Sequence, residues 1–296
     1  MPMRIAVGLG FYLIAQEVIM NKLAAQILRV AVLICVCSPV LGQDCKFSSD
    51  RTANFTGPIK KVVVSAAAGY LNIRGNAAGA VNAKGRACAS SESVLGKITL
   101  ESRREADTVY LTVVMSEGMG DVFSFGRYSS LDLEVTVPKT AQLEVNDSSG
   151  DIELSDVGAS VVTDSSGDQL LKNINGDLQV NDSAGEIRIV SVSGNVQVED
   201  SSGGIDIEDA RGDVKIVSDS SGDIAIAKVA GSVQVVDDSS GEITIREVKR
   251  DVTIDNDSSG NIKVSEVGGK FRVNADSSGS ILHDHVAGGV RIPAKT

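Results

Sequence analysis

The chain has 296 residues, with 39 acidic against 28 basic side chains and a net charge of −11. That balance opposes nucleic acid and anionic membrane surfaces, because both are polyanions. Aromatics make up 3%, Trp is absent and glycines number 30, so any core is built from Val, Ile, Leu and Ala, which suits narrow repetitive β-structure better than a conventional globule.

In chain order, residues 1–42 read as a signal peptide. Met20-Asn21-Lys22 begins a short basic region that includes Arg29, Val30 to Val36 is apolar, and Val40-Leu41-Gly42 offers small residues where a signal peptidase reads. The reading places the start at Met20, treats residues 1–19 as an upstream extension and sets cleavage after Gly42. An uncleaved anchor is the competing reading, but the apolar run is short for a bilayer. Without residues 1–42 the chain carries 25 basic and 38 acidic residues, a net of −13. Of four cysteines, Cys35 and Cys37 fall in this segment and Cys45 and Cys88 remain. In an oxidising compartment a Cys45–Cys88 disulfide is the expected state.

Residues 43–140 form the next region. Residues 43–60 read as an irregular lead-in. From Lys61, β-branched runs at 62–64, 70–73, 97–100 and 109–113 predict strands. Between them and the repeat lies Met119 to Tyr128, where Phe123, Phe125 and Tyr128 stand in a Gly-rich stretch. That segment is either an exposed contact loop or an aromatic plug over one end of the core. No stretch after residue 43 holds an apolar period of about 3.6. Residues 130–137 alternate strictly and end at Pro138.

Residues 141–296 are a tandem repeat. Asp147-Ser148-Ser149-Gly150 returns from Asp164, Asp182 (as Asp-Ser-Ala-Gly), Asp200, Asp219, Asp238, Asp257 and Asp276, at steps of 17 to 19 residues. A fixed period near 20 marks a stacked architecture. In one unit Ile224 and Ile226 alternate with Ala225 and Ala227, Val229 follows, and Val233 and Val235 alternate after a turn at Ala230-Gly231. Each unit therefore supplies two short strands and two turns. The predicted fold is all-β: a parallel β-solenoid of about 19 residues per coil whose two facing sheets share a thin aliphatic core. Two residues break the pattern, since Gln169 and His283 occupy apolar slots.

Cys45-Lys46, Gly85-Arg86-Ala87-Cys88, the lead-in Leu133-Glu134-Val135-Thr136-Val137-Pro138 and the tandem Ser-Gly-Asp-Ile units together resemble a bacterial family of exported, adhesin-like β-strand-repeat proteins, classed as a domain of unknown function. The resemblance covers roughly residues 45–292. It implies a parallel β-solenoid and an exported location, and it brings no catalytic residues.

The eight repeat aspartates are the strongest chemical candidates. In register they stack, and two carboxylates about 5 Å apart repel by roughly 3 kcal/mol at an effective dielectric of 20. A Ca²⁺ ladder clamped between coils would relieve this. Local turn chemistry is the other answer, with Asp and Ser oxygens accepting backbone N–H groups and Gly supplying a positive φ. The Gly-Gly-x-Gly-x-Asp calcium signature is absent. His283-Asp284-His285 reads as an end cap, since the chain holds no other histidine. Acids are plentiful but regular, which does not match the converging acid, base and electrophile of an enzyme. The expectation is an exported, non-enzymatic interaction module with an acidic repetitive face, in the periplasm, at the cell surface or secreted. Alternatives are an envelope scaffold or polymer joined end to end, and a carbohydrate-active β-helix enzyme. No catalytic residue, nucleic acid partner or membrane insertion after cleavage is expected.

Overall fold

The computed structural model describes residues 45–115 and 128–294. The signal peptide assignment, Phe123 and Phe125 lie outside the described residues. The first strands are β1 (Phe47–Phe55), β2 (Lys61–Ser65), β3 (Leu71–Asn76) and β4 (Val81–Ala89), followed by one helical turn, α1 (Glu92–Leu95). Then come β5 (Ile98–Glu105), β6 (Thr108–Met115), β7 (Ser129–Pro138), β8 (Gln142–Asn146), β9 (Ile152–Ser155), β10 (Gly158–Thr163) and β11 (Gln169–Asn181). The regular stack continues with β12 (Ile187–Val192), β13 (Val196–Glu199), β14 (Ile205–Ala210), β15 (Val214–Ser218), β16 (Ile224–Val229) and β17 (Val233–Asp238). It ends with β18 (Ile243–Val248), β19 (Val252–Asp257), β20 (Ile262–Val267), β21 (Phe271–Asp276), β22 (Ile281–Val286) and β23 (Val290–Arg291).

These strands form a parallel β-solenoid. One sheet, A, runs β9, first half of β11, β12, β14, β16, β18, β20, β22. The other, B, runs β8, β10, second half of β11, β13, β15, β17, β19, β21, β23. Like stands over like: Ile187, Ile205, Ile224, Ile243 and Ile262 are successive partners, and each is at most 1% exposed. One coil buries too few side chains to hold itself, so each is stabilised by the coils on either side.

The third apolar residue of each sheet A strand sits three positions after the second, where strict alternation would turn it outward. One residue per coil resolves this. Asp156, Asn173, Ser191, Asp209, Lys228, Glu247, Glu266 and His285 all have φ between 50° and 64°. That left-handed step flips the parity, so Val229 returns to the core at 1% exposure. It costs roughly 1–2 kcal/mol at a non-glycine residue, and burial of the following aliphatic offsets it.

The N-terminal region departs from the expected lead-in. Residues 47–55 form β1, antiparallel to β4. Most of its residues are exposed, so no apolar alternation announces an edge strand of this kind. The α1 turn also went unpredicted, because four residues carry no period; its cap, with Ser91 Oγ accepting from Val94 N–H at 3.3 Å, was the readable signal. Sheet A continues past β9 as β3, β7, β4 and β1, and sheet B past β8 as β2, β6 and β5. The β2–β3 pair is therefore a rung inserted between strands later in sequence. Its turn is Ala66-Ala67-Ala68-Gly69, a copy of the repeat turn without its aspartate.

The two ends are built differently. At the N-terminal end, Arg51 of β1 donates from Nε to the Ile98 carbonyl of β5 at 2.8 Å, tying the terminal strands of the two sheets together. A disulfide joins Cys45 to Cys88. Among the described residues the C-terminal end has neither device, and β22 and β23 pair on one side only.

Candidate functional site

The repeated turn lies between a sheet B strand and the next sheet A strand. The aspartates stand in one file there, with Asp238, Asp257 and Asp276 direct register partners. Asp147, Asp164, Asp182, Asp200, Asp219, Asp238 and Asp257 are buried, between 0% and 6% exposed. Oδ1 closes the turn in six of these seven, whereas both carboxylate oxygens of Asp238 are without a hydrogen-bond partner. Ser148, Ser165, Ser183 and Ser201 donate their N–H to the preceding aspartate at 2.7–2.9 Å. Further along, Ser221 N–H donates to Asp219 at 3.2 Å and Ser259 N–H to Asp257 at 3.1 Å. The turn chemistry expected of Asp-Ser is thus present.

The glycine that ends the turn is required twice over. Gly222 has φ 140° and a Cβ there would sit 1.6 Å from the Gly203 carbonyl oxygen; Gly241 has φ 138° and the same 1.6 Å approach to Gly222. Neither the conformation nor the space admits a side chain.

The other carboxylate oxygens face inward. Oδ2 of Asp147, Asp164, Asp182, Asp200, Asp219, Asp238 and Asp257 is buried without a hydrogen-bond partner. Burial disfavours the charged form and the neighbouring aspartates add to it, while turn N–H groups oppose the shift. Asp147, Asp182 and Asp219 are pushed up to about 6, and Asp238, flanked by Asp219 and Asp257, to about 7. Asp164, Asp200 and Asp257 are raised as well, chiefly by burial. Among the described residues no three His, Cys, Asp or Glu side chains converge as a metal-holding group. The file offers each gap between coils the free oxygens of two carboxylates.

A second set of acceptors was not read from the sequence. The residue after the turn glycine accepts from the next coil: Asp151 from Asp168 N–H at 3.1 Å, Asp168 from Glu186 N–H at 3.0 Å and Asp223 from Glu242 N–H at 2.8 Å. At the opposite edge Asp177 accepts from Asn195 N–H at 2.7 Å, Asn195 from Asp213 N–H at 2.9 Å and Asp213 from Ser232 N–H at 2.8 Å. The recurring Gly-Asp and Gly-Asn pairs were the available signal. These exposed residues line both edges of the stack.

The flat faces differ in chemistry. On sheet A, charges pair across coils: Arg188 with Asp206, Lys228 with Glu208 at 2.7 Å and Lys263 with Glu242 at 2.6 Å. On sheet B the outward row passes through Gln179, Gln197, Lys215, Gln234, Thr253 and Arg272. Gln179 and Gln197 line a shallow groove of about 400 Å³ with Gln142, Val161 and the Lys61–Glu144 pair. Val161 is 39% exposed there. Of the aromatic segment, Tyr128 is described: its hydroxyl accepts from Lys46 N–H at 2.9 Å, fixing the start of β1. The His283 ring lies tilted at 60° to that of Phe271, with centroids 6.2 Å apart, in the slot where earlier coils carry Val264 and Ile245.

A family profile described as Toastrack DUF4097 matches residues 60–296. No curated protein matches the sequence. Among solved structures, a "putative adhesin" from Bacteroides fragilis is similar at 15% identity and TM-score 0.43, over 83% of this chain and 97% of that one. A "putative lipid binding protein" from Parabacteroides distasonis is similar at 14% identity and TM-score 0.41, with the same coverage of 83% and 97%. A "putative adhesin" from Parabacteroides distasonis is similar at 13% identity and TM-score 0.41, over 83% of this chain and 97% of that one.

Proposed function

This chain belongs to the Toastrack DUF4097 family, and on that footing we propose that it is an exported, non-enzymatic interaction module that presents a solenoid face to a ligand of the cell envelope or surface. The carrying observation is how the repeat uses its polar atoms. Six of the seven buried aspartates bond their own turns, and Asp and Asn side chains beside the glycines accept from the next coil. The charges on sheet A pair with one another. Sheet B keeps exposed carboxamides, Gln142, Gln179 and Gln197, with no hydrogen-bond partner among the described residues, around the groove.

That groove suits a neutral, polar, extended ligand, because amides both donate and accept and bring no net charge. Ring stacking contributes little, since the repeat region holds one aromatic, Phe271, and it is buried. The test is retention of envelope polysaccharide and protein fractions on the immobilised protein. Gln179→Lys with Gln197→Lys is expected to abolish retention while leaving the melt unchanged. Retention that survives both changes overturns this face as the contact, and release of sugars from the polysaccharide overturns the non-enzymatic reading.

A further inference from the structure

The last rung is unlike every other. Among the described residues five large apolar side chains are exposed, and three belong to it: Leu282 at 56%, Val290 at 38% and Ile292 at 39%. Ile281 and Val286, which face the core direction, are only half-buried. Among the described residues the outer N–H and C=O groups of β22 and β23 form an open parallel edge, a template for another strand.

The opposite end cannot serve as that strand's source. Its terminal strand in sheet B, β5, carries Glu101, Arg103, Arg104 and Glu105, with Arg103 paired to Glu105 at 2.9 Å. The terminal strand in sheet A, β1, exposes Ser48, Ser49, Asp50, Thr52 and Asn54. Stacking head to tail would press an apolar rung on charged edges. Like against like fits better. A two-fold contact opposes a surface to its own copy, so a strongly charged end would repel itself. Residues 281–294 carry one carboxylate, Asp284, and one guanidinium, Arg291, within a chain of net charge −11.

We propose that the open C-terminal rung is the surface by which two copies of this chain join tail to tail, β22 and β23 each pairing antiparallel with their own copies. Both sheets then run continuously through the contact and the half-covered aliphatics are enclosed. Because the symmetry closes, assembly stops at two.

Sedimentation velocity over a wide concentration range tests this, with a dimer expected. Val290→Asp places two like charges across the two-fold and is expected to give a monomer with an unchanged circular dichroism spectrum. His283→Cys is expected to form a disulfide-linked dimer under mild oxidation, and Arg103→Cys, at the other end, is not. A monomer at every concentration, filaments, or a dimer that persists in Val290→Asp without cross-linking at position 283 overturns the proposal. Each outcome is separable from the loss of ligand retention in the Gln179/Gln197 variant.

Discussion

The two ends of the solenoid solve one problem in opposite ways. A stack of parallel rungs leaves two unpaired edges. The N-terminal end reverses strand direction, with β1 and β4 antiparallel in sheet A and β5 antiparallel in sheet B. It adds the Arg51 tie, the α1 turn and the Cys45–Cys88 bond. Among the described residues the C-terminal end has none of these devices and leaves Leu282, Val290 and Ile292 showing. The middle of the stack needs only its neighbours; an end needs either dedicated structure or a partner.

The sharpest way to break this contrast is in the middle. Gly241→Ala puts a Cβ 1.6 Å from a backbone oxygen at φ 138°, and a loss of more than about 4 kcal/mol is expected. Gly79→Ala, in the cap region with nothing within 4 Å at φ 68°, should lose only about 1–2 kcal/mol. Denaturant melts of the pair measure the difference. Next, Cys45→Ser with Cys88→Ser opens a loop of sequence separation 43, for which the chain-entropy relation gives about 4 kcal/mol. Hydrogen exchange should rise in β1 and β4 and leave β20 and β22 unchanged. Equal acceleration at both ends would contradict a local role.

Acidity sharpens the contrast differently, because the buried file spans the middle and not the cap, where Ala66 replaces the aspartate. The folded carboxyls lie above their ordinary value, Asp238 at about 7, so the folded state holds more protons than the unfolded one. Their contribution is full below about pH 4 and is lost as pH rises towards 7. Asp238→Asn keeps the size and shape of the side chain and removes the charge, and both oxygens of Asp238 are unpartnered to begin with. Its melting temperature should exceed that of the parent at pH 8, and the gap should close at pH 4.

Gln169 sits at 1% exposure with both amide atoms unpartnered, between Ile152 and Ile187. Gln169→Ile should stabilise by about 1–3 kcal/mol. The smallest expected effect is that of calcium. With Oδ1 engaged by turn amides in Asp147, Asp164, Asp182, Asp200, Asp219 and Asp257, Ca²⁺ should leave the melt unchanged. A rise reversed by chelator would assign the metal to the free Oδ2 oxygens of the file.

The repeat was legible because each rung restates it. The aspartate file, the aliphatic core and the parallel register follow from one period and one alternation. The left-handed residue was hidden because eight chemically different residues, from Asp156 to His285, share only a backbone angle. The edge strand β1 was hidden because an exposed strand has no buried face to print on its sequence. The inserted rung β2–β3 was hidden because Ala66 carries no carboxylate to betray the turn. The acceptor ladders at both edges were visible as Gly-Asp and Gly-Asn pairs, but nothing in one chain's letters separates a solvated acid from one bonded to the next coil.

The inserted rung also dictates an order of assembly. Strands β2 and β3 emerge early, yet each rests between strands that follow it: β6 and β8 for one, β7 and β9 for the other. In a chain delivered from its N-terminus, that rung therefore gains both of its neighbours only once Ile152 has arrived and is completed backwards, while the regular coils, each resting on adjacent ones, can wind independently of it.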